Sequence, residues 1–320
     1  MVPLKITHGR IQFEARFSVS FQRTLRVPDD GRTYPLPPGL GLLPIHAANE
    51  FGSRVPKRWR TDRVFVPLYQ REALWLGFDG AEWKPNVVKI GIGGINAVSG
   101  ERWRDGLHDD PQDYLVCPPQ LWLDGINAGA GHIRQFVAIP LGSGATIEEQ
   151  LSGSEHIGGL QIEVFEPKAG RFPDEPVDES RREPMVVSSA LEMGMAAGGR
   201  ITQKIYRDPY GMDTWDMDNR RFVFVHLLNA EQYHAMTGIA PPPTPISALT
   251  YTEHGFPWFD LYDEGRPGLA PAKSLTDIES LGEIGRRTGT PQDAPVDIPP
   301  DQVTTLGRRV RTHDQRDGHD

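Results

Sequence analysis

"IQFEARFSVSF", residues 11–21, decides the fold class. Ile11, Phe13, Ala15, Phe17, Val19 and Phe21 alternate without error against Gln12, Glu14, Arg16, Ser18 and Ser20. Period two places one set on a buried face and the other on a wet face, which is the pattern of a strand. Read as one strand, eleven residues at about 3.3 Å each span roughly 36 Å, twice the common length. A strand that long needs equally long antiparallel neighbours. The expectation is a mainly β fold with a minor α+β character. Long antiparallel strands would form a β-sandwich or a distorted barrel, decorated by a few short helices.

Working outward, "RVFVPLY", "ALWLGF" and "NVVKIGI" read as further strands, the last ending at glycines. "RQFVAIPL" and "RFVFVHLL" are apolar on both faces and suit central strands, while "GLQIEVFE" and "RITQKIY" alternate. Three short helices are predicted from their caps. "ATIEEQLSG" has Thr146 and Glu149 at capping-box spacing and Gly153 as a stop, and "SSALEMGMAAGG" repeats this with Ser189 and Glu192. "NAEQYHAMTG" starts at Asn229 and stops at Gly238.

The 34 glycines and 29 prolines make up about a fifth of the 320 residues, which favours short elements joined by turns. Residues 166–184, "EPKAGRFPDEPVDESRREP", read as a long surface loop, and "APPPTP" at 240–245 as a rigid connector. From residue 283 the chain is charged, proline-rich and nearly free of aromatics, so 283–320 is expected to be a disordered tail. One β-rich domain over residues 1–282 is the expected organisation, with a split near 166–184 as the alternative.

The net charge of −9 disfavours nucleic-acid binding, because phosphate repels an acidic surface. A single cysteine forms no intrachain disulfide and suits a reducing compartment. The start lacks the basic head and apolar core of a secretory signal, and no apolar run reaches the length that spans a bilayer. A soluble cytoplasmic protein without membrane contact is expected; homo-oligomerisation stays open.

Chemistry has its best opening in "LWLDGINAGAGHIRQFVAIPLG", residues 121–142. Gly125, Gly129 and Gly131 would leave backbone N–H groups uncovered for an anion, and Asp124, Asn127, Arg134 and Gln135 could orient a polar ligand. The competing reading is a glycine-rich hairpin whose Asp and Asn satisfy their own backbone, and turns outnumber sites. "GINA" occurs here at 125–128 and earlier at 94–97.

Other motifs are weaker. "KIGIGGIN" fails the dinucleotide fingerprint, since Asn96 stands where the third glycine belongs. Asp208, Asp213, Asp216 and Asp218 do not match an EF-hand and read as a self-bonded loop. The histidines form no metal signature, so neither a metal nor a cofactor is expected, and His226 reads as a satisfied core residue. Cys117 reads as buried and structural. Arg54, Lys57, Arg58, Arg60 and Arg63 around Trp59 form an anion-patch candidate, whose ligand affinity would fall steeply with salt.

"FQRTLRVPDDGRTYPLPPGLG", "PLYQREALWLGF", "WLDGINAGAGHIRQFVAIPLG" and "YTEHGFPWFDLYD" together resemble a widespread family of uncharacterised bacterial proteins. The resemblance covers about residues 9–265 and implies one folding unit; no activity, cofactor or site comes with it. The functional expectation is a non-catalytic protein that binds a polar small molecule or a protein partner. The rival is a hydrolase- or isomerase-like enzyme. Asp124 would then be the general base, Arg134 would hold an anionic group, and His132 or Glu253 would assist. That rival requires Asp124, Arg134 and a second titratable group to share one concave pocket.

Overall fold

The computed structural model describes residues 5–14, 16–59, 63–129, 131–174, 193–261 and 265–306. Its first surprise is at Ile11–Phe21, which forms two strands of a hairpin, Arg10–Glu14 and Phe17–Thr24. Ile11 faces Val19 and Gln12 faces Ser18, after which the register shifts and Glu14 faces Phe17. The buried apolar residues nevertheless keep odd numbers on both strands, and the single strand of roughly 36 Å is corrected to two shorter ones. Ile11, Phe13, Phe17, Val19 and Phe21 are all buried, as their spacing demands. Ser18 and Ser20 are buried too, so the second strand is covered on both faces.

Strands occupy 40% of the structure against 18% for helices, which makes the class mainly β. Seventeen strands join in one hydrogen-bonded network, and a separate parallel pair links Trp258–Leu261 to Val303–Leu306. No closed barrel is found. Pairing is chiefly antiparallel. Leu160–Pro167 lies between Asn86–Ile92 and Trp215–Leu228, and His132–Pro140 lies between Met193–Thr202 and Ala73–Gly80. Two parallel pairings interrupt the pattern, Arg63–Pro67 with Trp215–Leu228 and Thr33–Tyr34 with Met193–Thr202. Strands from both sides of the 166–184 segment pair with one another, so the ladder runs past the place where a split was the alternative. Residues 175–184 of that segment lie outside the described residues.

The central strands are the apolar runs of the sequence, and all seven residues of Asn86–Ile92 are buried. Burial on both faces is what continuous apolar runs indicate. Lys89 sits inside this strand at 0% exposure. Its Nζ donates to Asp113 at 2.7 Å and to the carbonyls of Arg104 and Gly106 at 2.7 and 2.6 Å. A buried ammonium is tolerated only when fully paired in this way.

Helices α1 (Ile147–Ser152) and α2 (Ala230–Thr237) form where the caps predict them. Thr146 accepts from Glu149 N, Asn229 accepts from Glu231 N, and Gly153 and Gly238 close the two helices in the left-handed conformation. The helix expected over 188–199 is instead strand Met193–Thr202, while Ser189 and Glu192 lie outside the described residues. The glycines explain the difference. A Cβ on Gly198 would come within 2.5 Å of Val137 Cγ2, and one on Gly199 within 2.4 Å of Pro28 O. These positions are bare because neighbouring chain presses against them, and that contact outweighs helix propensity.

Helix α3 (Ala248–Glu253) and α4 (Lys273–Thr276) precede α5 (Leu281–Thr288), which stands where the disordered tail was expected to begin. Ser280 and Glu283 form a reciprocal capping box on α5. Leu281 joins Ala73, Val137, Ile139 and Ala196 in a buried cluster, and Val296 is 2% exposed in the main core. Ile284, Ile298 and Val303 pack partly buried against the same clusters, so this stretch contributes to the core, although Leu306 at its end is 44% exposed. Residues 307–320 lie outside the described residues. No helix among the described residues is long and apolar enough to cross a membrane.

Candidate functional site

Residues 121–142 fold as strands Trp122–Leu123, Gly125–Gly129 and His132–Pro140, so the hairpin reading describes them. Gly125 is required by proximity: a Cβ there would lie 1.9 Å from Arg134 O across the ladder. At Gly129 the ring of His132 occupies the space a Cβ would take. These glycines let chains approach closely, which is a packing role.

The polar residues of the hairpin disperse to separate partners. Asp124, 2% exposed, accepts from Gln203 Nε2 at 2.9 Å, and its backbone N–H donates to Gln203 Oε1 at 3.0 Å. Burial pushes its carboxyl up to about 7, although hydrogen bonds from Trp122 and Gln203 pull the other way. Arg134 donates to Ile278 O and to Glu283 at 3.0 Å, tying the sheet to the start of α5. Gln135 accepts from Val27 N at 3.1 Å and donates to Leu25 O at 2.8 Å. His132 is partly exposed, and Glu253 is exposed at the end of α3. Neither Asp124 nor Arg134 lines the cleft at Asn127 or the smaller cavity at Arg71.

Asn127 does line one, a cleft of about 590 Å³. The two GINA segments meet here: Asn127 N donates to Ala97 O at 3.0 Å. Asn127 Nδ2 spends both hydrogens, on Val98 O at 3.2 Å and Ala270 O at 2.9 Å. Those two carbonyls fix which end of the amide is nitrogen. Oδ1 accepts no hydrogen bond from any described residue and keeps access to the cleft, although the residue as a whole is only 4% exposed. The first copy is closed on itself, since Asn96 Oδ1 takes both Val98 N and Ser99 N at 2.9 Å.

The opposite wall is Asp208, whose Oδ2 accepts from Tyr114 OH and Trp215 Nε1, both at 2.8 Å, while Oδ1 accepts from Tyr210 N at 2.8 Å. Burial and this carboxylate together raise the Tyr114 hydroxyl well above the ordinary tyrosine range. The rim comes from residues 109–111 and Arg207. Its placement traces to the buried Lys89–Asp113 pair, because Asp113 also holds His108 through Nδ1 at 2.9 Å and through the backbone N–H at 2.9 Å. Asp109, Asp110 and Arg207 are exposed and form no ion pair with any described residue. The cleft thus offers two carboxylates and a guanidinium that pair with no described residue, beside an amide oxygen open to a donor. Sequence reasoning flagged Asn127 and Asp208. It missed Asp109, Asp110, Arg207 and Lys89, which carry no local motif.

The other candidates resolve locally. Arg54 lies 5.3 Å over the Phe51 ring, Lys57 and Arg58 are exposed, and Arg60 lies outside the described residues. Trp59, at their centre, is fully buried and stacks on His226 with ring centroids 3.7 Å apart. His226 is a core residue, its Nε2 3.3 Å from Arg63 Nη1. In the acidic loop Asp213 pairs with Arg171, and Asp216 accepts from Asp218 N at 3.0 Å. Cys117 is buried, which pushes its thiol up and away from reactivity. Among the described residues no three His, Cys, Asp or Glu side chains gather as a metal site.

Comparison with protein-family models, with curated proteins and with solved structures gives no match.

Proposed function

We propose that the protein is a non-catalytic binder of a small polar molecule, held in the cleft at Asn127. The ligand class that suits the lining is a hydroxy or amino acid. Its hydroxyl or ammonium donates to Asn127 Oδ1 and faces Asp109 and Asp110, and its carboxylate meets Arg207. The observation that carries this reading is the Asn127 amide in the cleft wall, with both hydrogens committed to carbonyls and its oxygen open to the cleft without a donor among the described residues. An acceptor held in place by two fixed hydrogens is preorganised for a ligand donor, which would take the place of solvent there. The single buried cysteine fits a protein that works in a reducing compartment.

The enzymatic alternative has one point in its favour, the Asp124 carboxyl at about 7, where a general base works well. Its near-complete burial and its Gln203 bond weigh against it, since substrate must reach the base.

Thermal melting of the full chain with amino acids, hydroxy acids, polyols and amines tests the proposal. A ligand at a hundred times its Kd adds about 2.7 kcal/mol to native stability. Members of the hydroxy- or amino-acid class should raise Tm, and Arg207→Ala or Asp110→Asn should lose the response. A panel without effect, or variants that respond like the wild type, would refute it.

A further inference from the structure

A second cavity, of about 240 Å³, lies between residues 24–28, the turn at 71–73, residues 245–249 and residues 293–296. Its sequence origin is inconspicuous, and no motif marks it.

Arg71 is its unusual feature. The residue has φ +67°, a left-handed conformation that a non-glycine side chain rarely adopts. Its backbone is clamped there, with Arg71 N on Ala138 O at 2.7 Å and Glu72 N on Tyr69 O at 3.0 Å. Glu72 adds a third clamp by accepting from Tyr69 N at 2.8 Å. Glycine would fit this position without strain, yet arginine occupies it. The Arg71 side chain has no hydrogen bond or ion pair with any described residue.

The surrounding charges are already assigned. Glu72 is paired with Arg23, and Asp293 with Arg26. Asp29 accepts from Gly282 N at 2.6 Å. Arg71 is the cation left over. It stands close enough to Arg26 to lower that group's pKa, although burial of Arg26 is the larger cause. Besides Thr24 and Ser247, the rest of the wall is apolar, including Pro28, Ala73, Pro245, Val296, Ile246 and Leu249. Ile246 and Leu249 are 45% and 36% exposed, which leaves uncovered apolar surface beside a guanidinium that pairs with no described residue.

We propose that this cavity is a binding site for a carboxylate bearing a short apolar tail. Arg71 takes the carboxylate with its planar fork, and Ile246 and Leu249 cover the tail. The site is separate from the Asn127 cleft and stands or falls without it.

Titration calorimetry on the full chain tests this with hexanoate, acetate and inorganic phosphate as probes. Hexanoate should bind the wild type, and acetate more weakly because it lacks the tail. Arg71→Gly keeps the φ that the turn requires, so its melting temperature should stay at or above that of the wild type while hexanoate affinity falls about tenfold or more. Arg71→Lys, which keeps charge but not the fork, should fall between them, and Arg207→Ala should bind hexanoate normally. Absence of hexanoate binding, equal affinity in Arg71→Gly, or phosphate binding as tightly as hexanoate would each overturn the proposal.

Discussion

Asp124 shows how one buried side chain couples the fold to pH. Its carboxyl titrates near 7 in the folded chain against an ordinary value of 3.8. The neutral form is the one the interior accepts, so its contribution to stability is complete below about pH 4 and is lost as pH rises through about 7. For a group this buried the swing is about 4 kcal/mol. Asp124→Asn removes the proton equilibrium and keeps an acceptor for Gln203. Urea unfolding across pH 4–8 should show the wild type losing stability relative to this variant, with the gap closing at the acid end. Parallel curves would mean that Asp124 is not the group responsible.

Helix α5 shows how much of an element is readable from its ends. Ser280 and Glu283 cap it reciprocally, and Glu283 also receives Arg134 from the sheet. Ser280→Ala should therefore cost about 1–2 kcal/mol, the upper part of the range for an N-cap, because the cap also steadies an ion pair. A lower urea midpoint with an unchanged slope would register it. Caps at Thr146 and Asn229 were legible in the same way, and so were the apolar runs that became central strands. Two elements were not. Ile11–Phe21 hid a turn because its buried apolar residues keep odd numbers on both strands, so alternation carries no mark where the chain reverses. Residues 188–199 looked helical because Ser189 and Glu192 stand at capping-box spacing ahead of two glycines, while those glycines answer to Val137 and Pro28, which sequence distance conceals. The cleft divides along the same line. Asn127 was visible inside a glycine-rich motif, whereas Asp109, Asp110 and Arg207 gain meaning only when separate segments converge.

At the scale of the whole molecule, the parallel pairing of Arg63–Pro67 with Trp215–Leu228 joins Val64 to Val225, roughly 160 residues apart. Loop-closure entropy must be met before such a contact gives anything back, so folding is expected to be slow. Stopped-flow refolding followed by tryptophan fluorescence should show its main phase at about a second or longer. Completion within milliseconds would mean that these distant strands are not what limits the search.

The amide at Asn127 also has a lifetime. Asparagine is among the thermolabile side chains, and hydrolysis would convert it to aspartate. An oxygen would then point at Val98 O and Ala270 O, where an N–H group now serves both. Two carbonyls facing a fresh anion would push the wall apart. Prolonged warming would then damage the cleft by a covalent change at one atom, with the surrounding sheet still folded and cooling unable to reverse the loss.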